Sequence, residues 1–144
     1  MSPLNQAEVE RLFTASPFIQ HLGLRLVSIT PGECRTVLEL EERHLQQEGY
    51  VHAGVQATVA DHTAGAAGAS LIEPGQFVLS AEFKINLLRA AKGTRIECVA
   101  KVLKAGASLS VVESEVYCGT GDDLRLVSKT TVTLAILRPR AWPG

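Results

Sequence analysis

The segment from Val51 to Leu71, VHAGVQATVADHTAGAAGASL, constrains the fold more than any other part of this chain. It contains no proline, so it can form one long helix. Each glycine in a helix costs up to about 1 kcal/mol relative to alanine. The glycines and alanines of this segment therefore indicate that close packing decides its sequence. Such a slim helix is suited to lie inside one curved sheet.

The remaining elements are short. A helix is predicted within residues 1–17, with Ser2 as its cap and Pro3 at its first position. Alternating apolar residues predict strands over 22–29 and 34–40, and Pro31-Gly32 joins them as a hairpin. After the long helix, four further strands are predicted, over 77–88, 94–103, 108–117 and 124–137.

Short polar segments separate these four strands, so strands that follow one another are expected to pair antiparallel. The chain of 144 residues fits a single domain. Its residues 138–144 form a tail that is expected to be loosely held. The predicted architecture is α+β, with an antiparallel sheet of five to six strands around one central helix.

Composition excludes several classes of protein. The formal net charge of −1 gives no overall attraction to nucleic acid or to anionic membranes. The long helix carries His52, Asp61 and His62, so a membrane span is not expected. No secretory signal is recognised, and we expect a cytoplasmic protein. The three cysteines form no CxxC pair and are expected to be buried, reduced thiols: Cys34, Cys98 and Cys118.

Asp61 is the only carboxylate within the long helix. A lone acid among alanines and valines is costly unless it is paired or used, so Asp61 is the first catalytic candidate. Alternatively it is a structural acid, bonded to a neighbouring hydroxyl. Ser80 in the next strand is one such hydroxyl, and Gln46, in the loop before the helix, is a second polar candidate.

His52-Ala53-Gly54 marks the start of the same helix. A helix N-terminus offers unpaired amides, and Gly54 lets a ligand approach the backbone. An amide there would polarise an ester or thioester carbonyl, as an oxyanion hole does, and His52 would orient the carbonyl or the loop. The alternative is that Gly54 only makes a tight turn and that His52 is structural.

Gly54 and Asp61 are seven residues apart, or about 10 Å along a helix axis. An oxyanion donor and an attacking carboxylate must both lie within about 3 Å of one carbonyl. Two antiparallel copies of the chain satisfy this requirement, because Asp61 of one then meets Gly54 of the other. We therefore predict a two-fold dimer with two composite sites.

Other chemistries are poorly supported. His52, Asp61 and His62 match no common metal-ligand spacing, so no metal is expected. No G-x-S-x-G elbow is present for a Ser-His-Asp triad. Basic residues cluster around the turn after the third predicted strand, and Lys84, Arg89, Lys92 and Lys104 are candidates to hold a phosphorylated ligand. The alternative is a solvated charged face.

At this point the chain resembles a hotdog-fold acyl-CoA thioesterase of the phenylacetate-degradation, or PaaI-like, type. The resemblance spans about residues 18–137. It is carried by His52-Ala53-Gly54 with Asp61 nine residues after the histidine, by the segment 80–93 with Ala91-Lys92-Gly93, and by the strands around Ala105-Gly106. The family's usual His-Gly-Gly is His-Ala-Gly here, and its Arg-Pro is Arg89-Ala90.

The resemblance implies that Asp61 is a nucleophile or general base and that the Gly54 amide binds the thioester oxygen. Gln46 and Ser80 fall where related enzymes place residues that assist the acid or the water. The implied CoA-binding residues are Lys84, Asn86, Arg89, Lys92, Gly93 and Lys104. The family needs no cofactor or metal, and its dimers often pair into tetramers.

Two other functions stay open at this stage. The same fold serves as a non-catalytic module that binds or senses acyl-CoA. It also serves as a hydratase or dehydratase, but those enzymes place their Asp and His farther apart than Asp61 and His62. The sequence does not select the acyl group or the arrangement of dimers within a tetramer.

Overall fold

A computed structural model describes residues 5–139, and it consists of three helices and one six-stranded antiparallel sheet. The helices are α1 (Gln6–Thr14), α2 (Pro17–Leu22) and α3 (Ala53–Ala69). A short 3-10 helix covers Glu42–His44. The strands are β1 (Arg25–Thr30), β2 (Glu33–Glu39), β3 (Phe77–Leu87), β4 (Arg95–Ala105), β5 (Leu109–Thr120) and β6 (Asp123–Leu137).

The N-terminal region differs from the prediction. Asn5 caps α1 by accepting a hydrogen bond from the amide of Glu8 at 2.9 Å. Helix α1 ends before Ser16-Pro17, within the predicted residues 1–17, but a second helix that was not predicted follows, with Ser16 as its cap and Pro17 in its first turn. Serine followed by proline is a typical start of a helix. Ser2, Pro3 and residues 140–144 of the predicted tail lie outside the described residues.

The strand order is β1-β2-β4-β5-β6-β3. The β1–β2 hairpin and the antiparallel pairs β4–β5 and β5–β6 are confirmed. The expected pairing of β3 with β4 is wrong, because β2 and β5 occupy both edges of β4. Strand β3 pairs with β6 instead and forms one edge of the sheet.

Helix α3 packs against the concave face of this sheet. Ala60, Ala64 and Ala67 are completely buried. At Gly68 a Cβ atom would lie 2.3 Å from Leu134 Cδ1, so the helix approaches β6 as closely as a glycine allows. The Ser114 hydroxyl donates to the Ala60 carbonyl at 2.8 Å and ties the helix to β5. One long helix inside a curved antiparallel sheet confirms the hotdog fold.

The three cysteines are free and buried, as expected. Burial raises the pKa of both Cys34 and Cys98 to about 12. Burial also raises the pKa of Cys118. A thiol with so high a pKa is protonated near neutral pH, so none of the three is suited to act as a nucleophile.

Candidate active site

Asp61 lies halfway along α3 and is partly exposed. The Ser80 hydroxyl of β3 donates a hydrogen bond to Asp61 Oδ1, with 2.5 Å between the two oxygens. A short hydroxyl–carboxylate distance is typical of a charge-assisted bond, which fixes the orientation of the acid. Ser80 is thus the hydroxyl partner that the sequence suggested for Asp61.

A β-bulge in β3 places Ser80 toward the helix. The pairing of β3 with β6 slips by one residue between Ser80 and Glu82. Side chains alternate between the two faces of a strand, so the extra residue reverses the alternation. Ser80 on one side of the bulge and Phe83 on the other therefore both face α3. The bulge keeps the apolar face of β3 inward while Ser80 reaches the acid.

Asp61 and Ser80 line a cavity of about 450 Å³ that we call the acid cavity. It lies between α1, α3 and the start of β3, and most of its walls are apolar. Helix α1 contributes Val9, Leu12 and Phe13, and α3 contributes Gly65. The cavity places a carboxylate beside an apolar slot.

His62 fastens α1 to α3. Its Nε2 lies 3.1 Å from the carbonyl oxygen of Phe13, and the centroids of the two rings are 4.5 Å apart. A carbonyl can only accept, so Nε2 carries the proton of this bond. Burial lowers the pKa of His62, although the Phe13 carbonyl and Asp61 act in the opposite direction. His62 is therefore a structural part of the wall of the acid cavity.

The start of α3 is closed by His52 in this structure. The Gly54 amide donates to His52 Nδ1 at 2.8 Å, so the imidazole acts as the cap of its own helix. The Gly54 amide, predicted as the oxyanion donor, thus already has an acceptor. A carbonyl oxygen binds this amide only where the imidazole moves aside.

Gln46 organises the loop before α3. The backbone amide of Gln46 donates to the Tyr50 carbonyl at 2.8 Å. Its side-chain Oε1 accepts from the amides of Tyr50, at 3.2 Å, and of Glu48. The Val51 amide then donates to the Ala91 carbonyl at 2.9 Å, which docks the segment after β3 onto the start of α3.

A second cavity, of about 390 Å³, lies at this junction, and we call it the loop cavity. Its lining includes Gln46, Ala53, Gln56 and Arg89, together with Tyr50, Val51, Leu87, Leu88, Ala90 and Ala91. The acid cavity and the loop cavity share no lining residue. Within one chain, Asp61 and Ala53 of the His52–Gly54 turn therefore line different cavities.

The predicted phosphate-binding residues are only partly brought together. Arg89 lines the loop cavity and Lys92 is exposed close by. Lys84 and Asn86 alternate with the inward residues of β3 and so lie on its outer face. Lys104 is nine residues from Arg95 along β4, about 30 Å away, at the opposite end of the sheet.

Gly93 has a packing role. A Cβ atom there would lie 2.4 Å from the backbone of Gly119, and its φ is +154°. The neighbouring Thr94 amide donates to the Gly119 carbonyl at 2.9 Å. This glycine is required for the approach of two backbones, whatever else it contacts.

Over residues 5–139, no three His, Cys, Asp or Glu side chains gather closely enough to hold a metal ion. None of the helices in that range has the length and apolar character needed to cross a membrane.

Sequence reasoning missed two sets of residues. Val9 and Phe13 of α1 are buried and close the acid cavity, although no site residue was predicted in this helix. The spacing of Val9, Leu12 and Phe13 is that of one helix face and contained the signal. Gln56, which is buried and lines the loop cavity, was also missed. Its only signal in the sequence is that it is an amide among alanines and valines.

Comparison with known proteins identifies the family of this chain. The family model described as "Thioesterase superfamily" matches residues 48–124, which include the His52–Gly54 turn, Asp61 and Ser80.

Among curated proteins, the chain is 29% identical over 119 residues to a 1,4-dihydroxy-2-naphthoyl-CoA hydrolase of Listeria monocytogenes, covering 83% of this chain and 94% of the relative. It is 32% identical over 104 residues to human acyl-coenzyme A thioesterase 13, covering 71% of this chain and 74% of that protein. Among solved structures, a thioesterase family protein from Silicibacter pomeroyi is 33% identical, with a TM-score of 0.89 over 92% of this chain and 97% of its own.

Proposed function

Because this chain belongs to the thioesterase superfamily, we propose that it hydrolyses acyl-CoA thioesters to a free acid and CoA. The observation that carries the proposal is the carboxylate of Asp61, held by Ser80 at one end of an apolar cavity. The names of two relatives, a naphthoyl-CoA hydrolase and an acyl-coenzyme A thioesterase, support CoA thioesters as the substrate class.

In this proposal Asp61 acts on the thioester carbonyl in one of two ways. As a general base it takes a proton from water, whose oxygen then attacks the carbonyl carbon. As a nucleophile it attacks that carbon itself, and water later hydrolyses the resulting anhydride. In both cases the carbon–sulfur bond breaks, and the CoA thiolate leaves and takes up a proton. Ser80 keeps the carboxylate in a fixed orientation.

The carbonyl oxygen would be held by the Gly54 amide of a second copy of the chain. The separation of the acid cavity from the loop cavity supports such a composite site. Strand β3 supports the dimer, because it is an edge strand with four exposed large apolar residues, Phe77, Leu79, Phe83 and Leu87. An exposed apolar edge is a template for pairing with another chain. Binding requires the His52 imidazole to leave the Gly54 amide.

The acyl group would enter the acid cavity, whose walls of Val9, Leu12 and Phe13 favour an apolar group. Arg89 and Lys92, beside the loop cavity, would contact the phosphates of CoA. The proposal further includes a tetramer of two dimers, a cytoplasmic location, the PaaI-like subtype, and no cofactor or metal.

Asp61→Asn tests the proposal. Release of free thiol is measured from a panel of short, medium, long and aryl acyl-CoA thioesters. We expect turnover to fall by about a hundredfold or more, because the amide can neither attack nor accept the proton. Asp122→Asn, in an exposed turn, is the matched control and should keep wild-type turnover. Near-wild-type turnover of Asp61→Asn would contradict the proposal, and tight binding of acyl-CoA without turnover would favour a sensing module.

Mixing two inactive variants tests the composite site. Gly54→Pro removes the amide hydrogen in the first turn of α3, where proline is tolerated. Unfolded and refolded together with Asp61→Asn, it should form mixed dimers with one intact site, and the mixture should recover about a quarter of wild-type turnover. A mixture as inactive as its parts would refute the sharing of the site between chains.

A further inference from the structure

Three buried side-chain atoms of residues 5–139 have no hydrogen-bond partner: Gln56 Oε1, Ser128 Oγ and Thr130 Oγ1. Ser128 and Thr130 are completely buried, and Gln56 is 4% exposed. Buried polar groups are nearly always paired, so each of these atoms requires an explanation.

Two contacts fix how α3 lies along β6. Near the end of the helix, Gly68 meets Leu134. Eight residues earlier, the Ala60 carbonyl accepts from Ser114, whose cross-strand neighbour on β6 is Thr130. A helix rises about 1.5 Å and a strand about 3.3 Å per residue, so eight helical residues match about four in the strand. Equal lengths of α3 and β6 therefore lie side by side over this stretch.

One more turn toward the start of the helix brings Gln56 level with Ser128. Gln56 is four residues before Ala60, and Ser128 is two residues before Thr130, so both steps cover about 6 Å. Ser128 and Thr130 share the inward face of the strand. The three residues therefore lie along the same stretch of the packing between α3 and β6, although no hydrogen bond joins them.

The side-chain amide of Gln56 reaches from the buried interior to the loop cavity. Its Oε1 is the buried atom. Its Nε2 takes part in no hydrogen bond within the described residues, yet it is absent from the buried unpaired atoms, so it reaches the space of the loop cavity that Gln56 lines. The nitrogen therefore faces the cavity as a donor without an acceptor.

The loop cavity runs between Ala53, beside the proposed oxyanion donor, and Arg89, a proposed phosphate contact. The part of CoA that joins the phosphates to the sulfur is the pantetheine arm, which contains two amide groups. Apart from Gln46, Tyr50 and Arg89, the neighbours of Gln56 in this cavity are apolar. Gln56 is therefore the buried donor suited to an amide carbonyl of that arm.

We propose that Gln56 binds an amide carbonyl of the pantetheine arm through its side-chain Nε2. The inference rests on the proposed thioesterase function and adds a binding residue to it. It predicts that Gln56 distinguishes thiols that carry an amide from thiols that do not.

The test compares Gln56→Met with wild type on two substrates, the hexanoyl thioesters of pantetheine and of butane-1-thiol. Both lack phosphates, so contacts of Arg89 and Lys92 do not contribute. Methionine keeps the size of the side chain and removes its hydrogen bonds. We expect kcat/KM to fall about tenfold for the pantetheine thioester and by less than about twofold for the butanethiol thioester. Gln20→Met, at an exposed glutamine of α2, is the control and should change neither value.

Equal losses on the two substrates, or no loss on either, would overturn the role of Gln56 and leave the thioesterase function intact. A wild-type protein that cleaves neither of these thioesters nor any acyl-CoA would refute the function itself.

Discussion

Two glycines of α3, three residues apart, are expected to respond in opposite ways to the same substitution. Gly65 faces the acid cavity, and a Cβ atom there would meet nothing within 4 Å. A Cβ atom on Gly68 would lie 2.3 Å from Leu134 Cδ1, and Leu134 is completely buried, so it has little room to move. Alanine at both positions therefore tests how the helix is rotated against the sheet.

Replacing a glycine by alanine inside a helix stabilises the folded state by about 0.5–1 kcal/mol. Gly65→Ala should show this gain in full. Gly68→Ala should show the same gain offset by about 1–3 kcal/mol for forcing a methyl group into a packed core. The free energies of unfolding of the two variants should thus differ by about 1–3 kcal/mol, or roughly 2–10 °C in Tm for a domain of this size.

Urea unfolding, followed by circular dichroism at one fixed protein concentration, measures both free energies. If Gly68→Ala proves as stable as Gly65→Ala, the close approach of α3 to β6 is incorrect. Gly65→Leu extends the test to the site. It should reduce turnover of long acyl-CoA thioesters while short ones react normally, because its side chain fills the acid cavity. Equal effects on both would contradict entry of the acyl chain there.

Two further predictions concern side chains around Asp61. Ser80→Ala should lower kcat for acyl-CoA about tenfold or more, as a bond to a charged group contributes about 1.5–3 kcal/mol, and an unchanged kcat would show that the acid needs no such support. Burial lowers the pKa of His62 below its usual 6.5, so the unfolded chain takes up this proton first as the pH falls. Stability is then lost below about pH 6.5. His62→Gln, which keeps a donor for the Phe13 carbonyl, should lose less between pH 7.5 and 5.5 in urea unfolding, and an equal loss would assign the pH dependence to other groups.

Local sequence signals sufficed for α3 and for the strands. The predicted helix Val51–Leu71 is observed as Ala53–Ala69, since absence of proline and closely spaced small residues are local properties. The partner of β3 was not predictable in this way. Short connections favour pairing between strands that follow one another in the chain. Strand β4, however, pairs with β2 on one edge and with β5 on the other. The pairing of β4 with β2 depends on residues far apart in the chain.

The same distinction applies to the candidate site, where local sequence identified some residues and not others. Asp61 and Ser80 were identifiable because an acid in an apolar helix requires a partner, and the structure supplies it at 2.5 Å. Gln56 gave no such signal, because its proposed role comes from lining the loop cavity with an unpaired side-chain nitrogen. Phe13 likewise gains its role only by packing on His62.

The cap on Gly54 bears directly on the proposed reaction. A helix start leaves amides that side chains satisfy when no ligand is bound, and His52 Nδ1 does so here. A neutral thioester carbonyl replacing this nitrogen exchanges one neutral acceptor for another and gains little. The tetrahedral intermediate carries a negative oxygen, and bonds to charged acceptors are about twice as strong. The exchange therefore favours the intermediate over the bound substrate, and only such differential binding accelerates the chemical step.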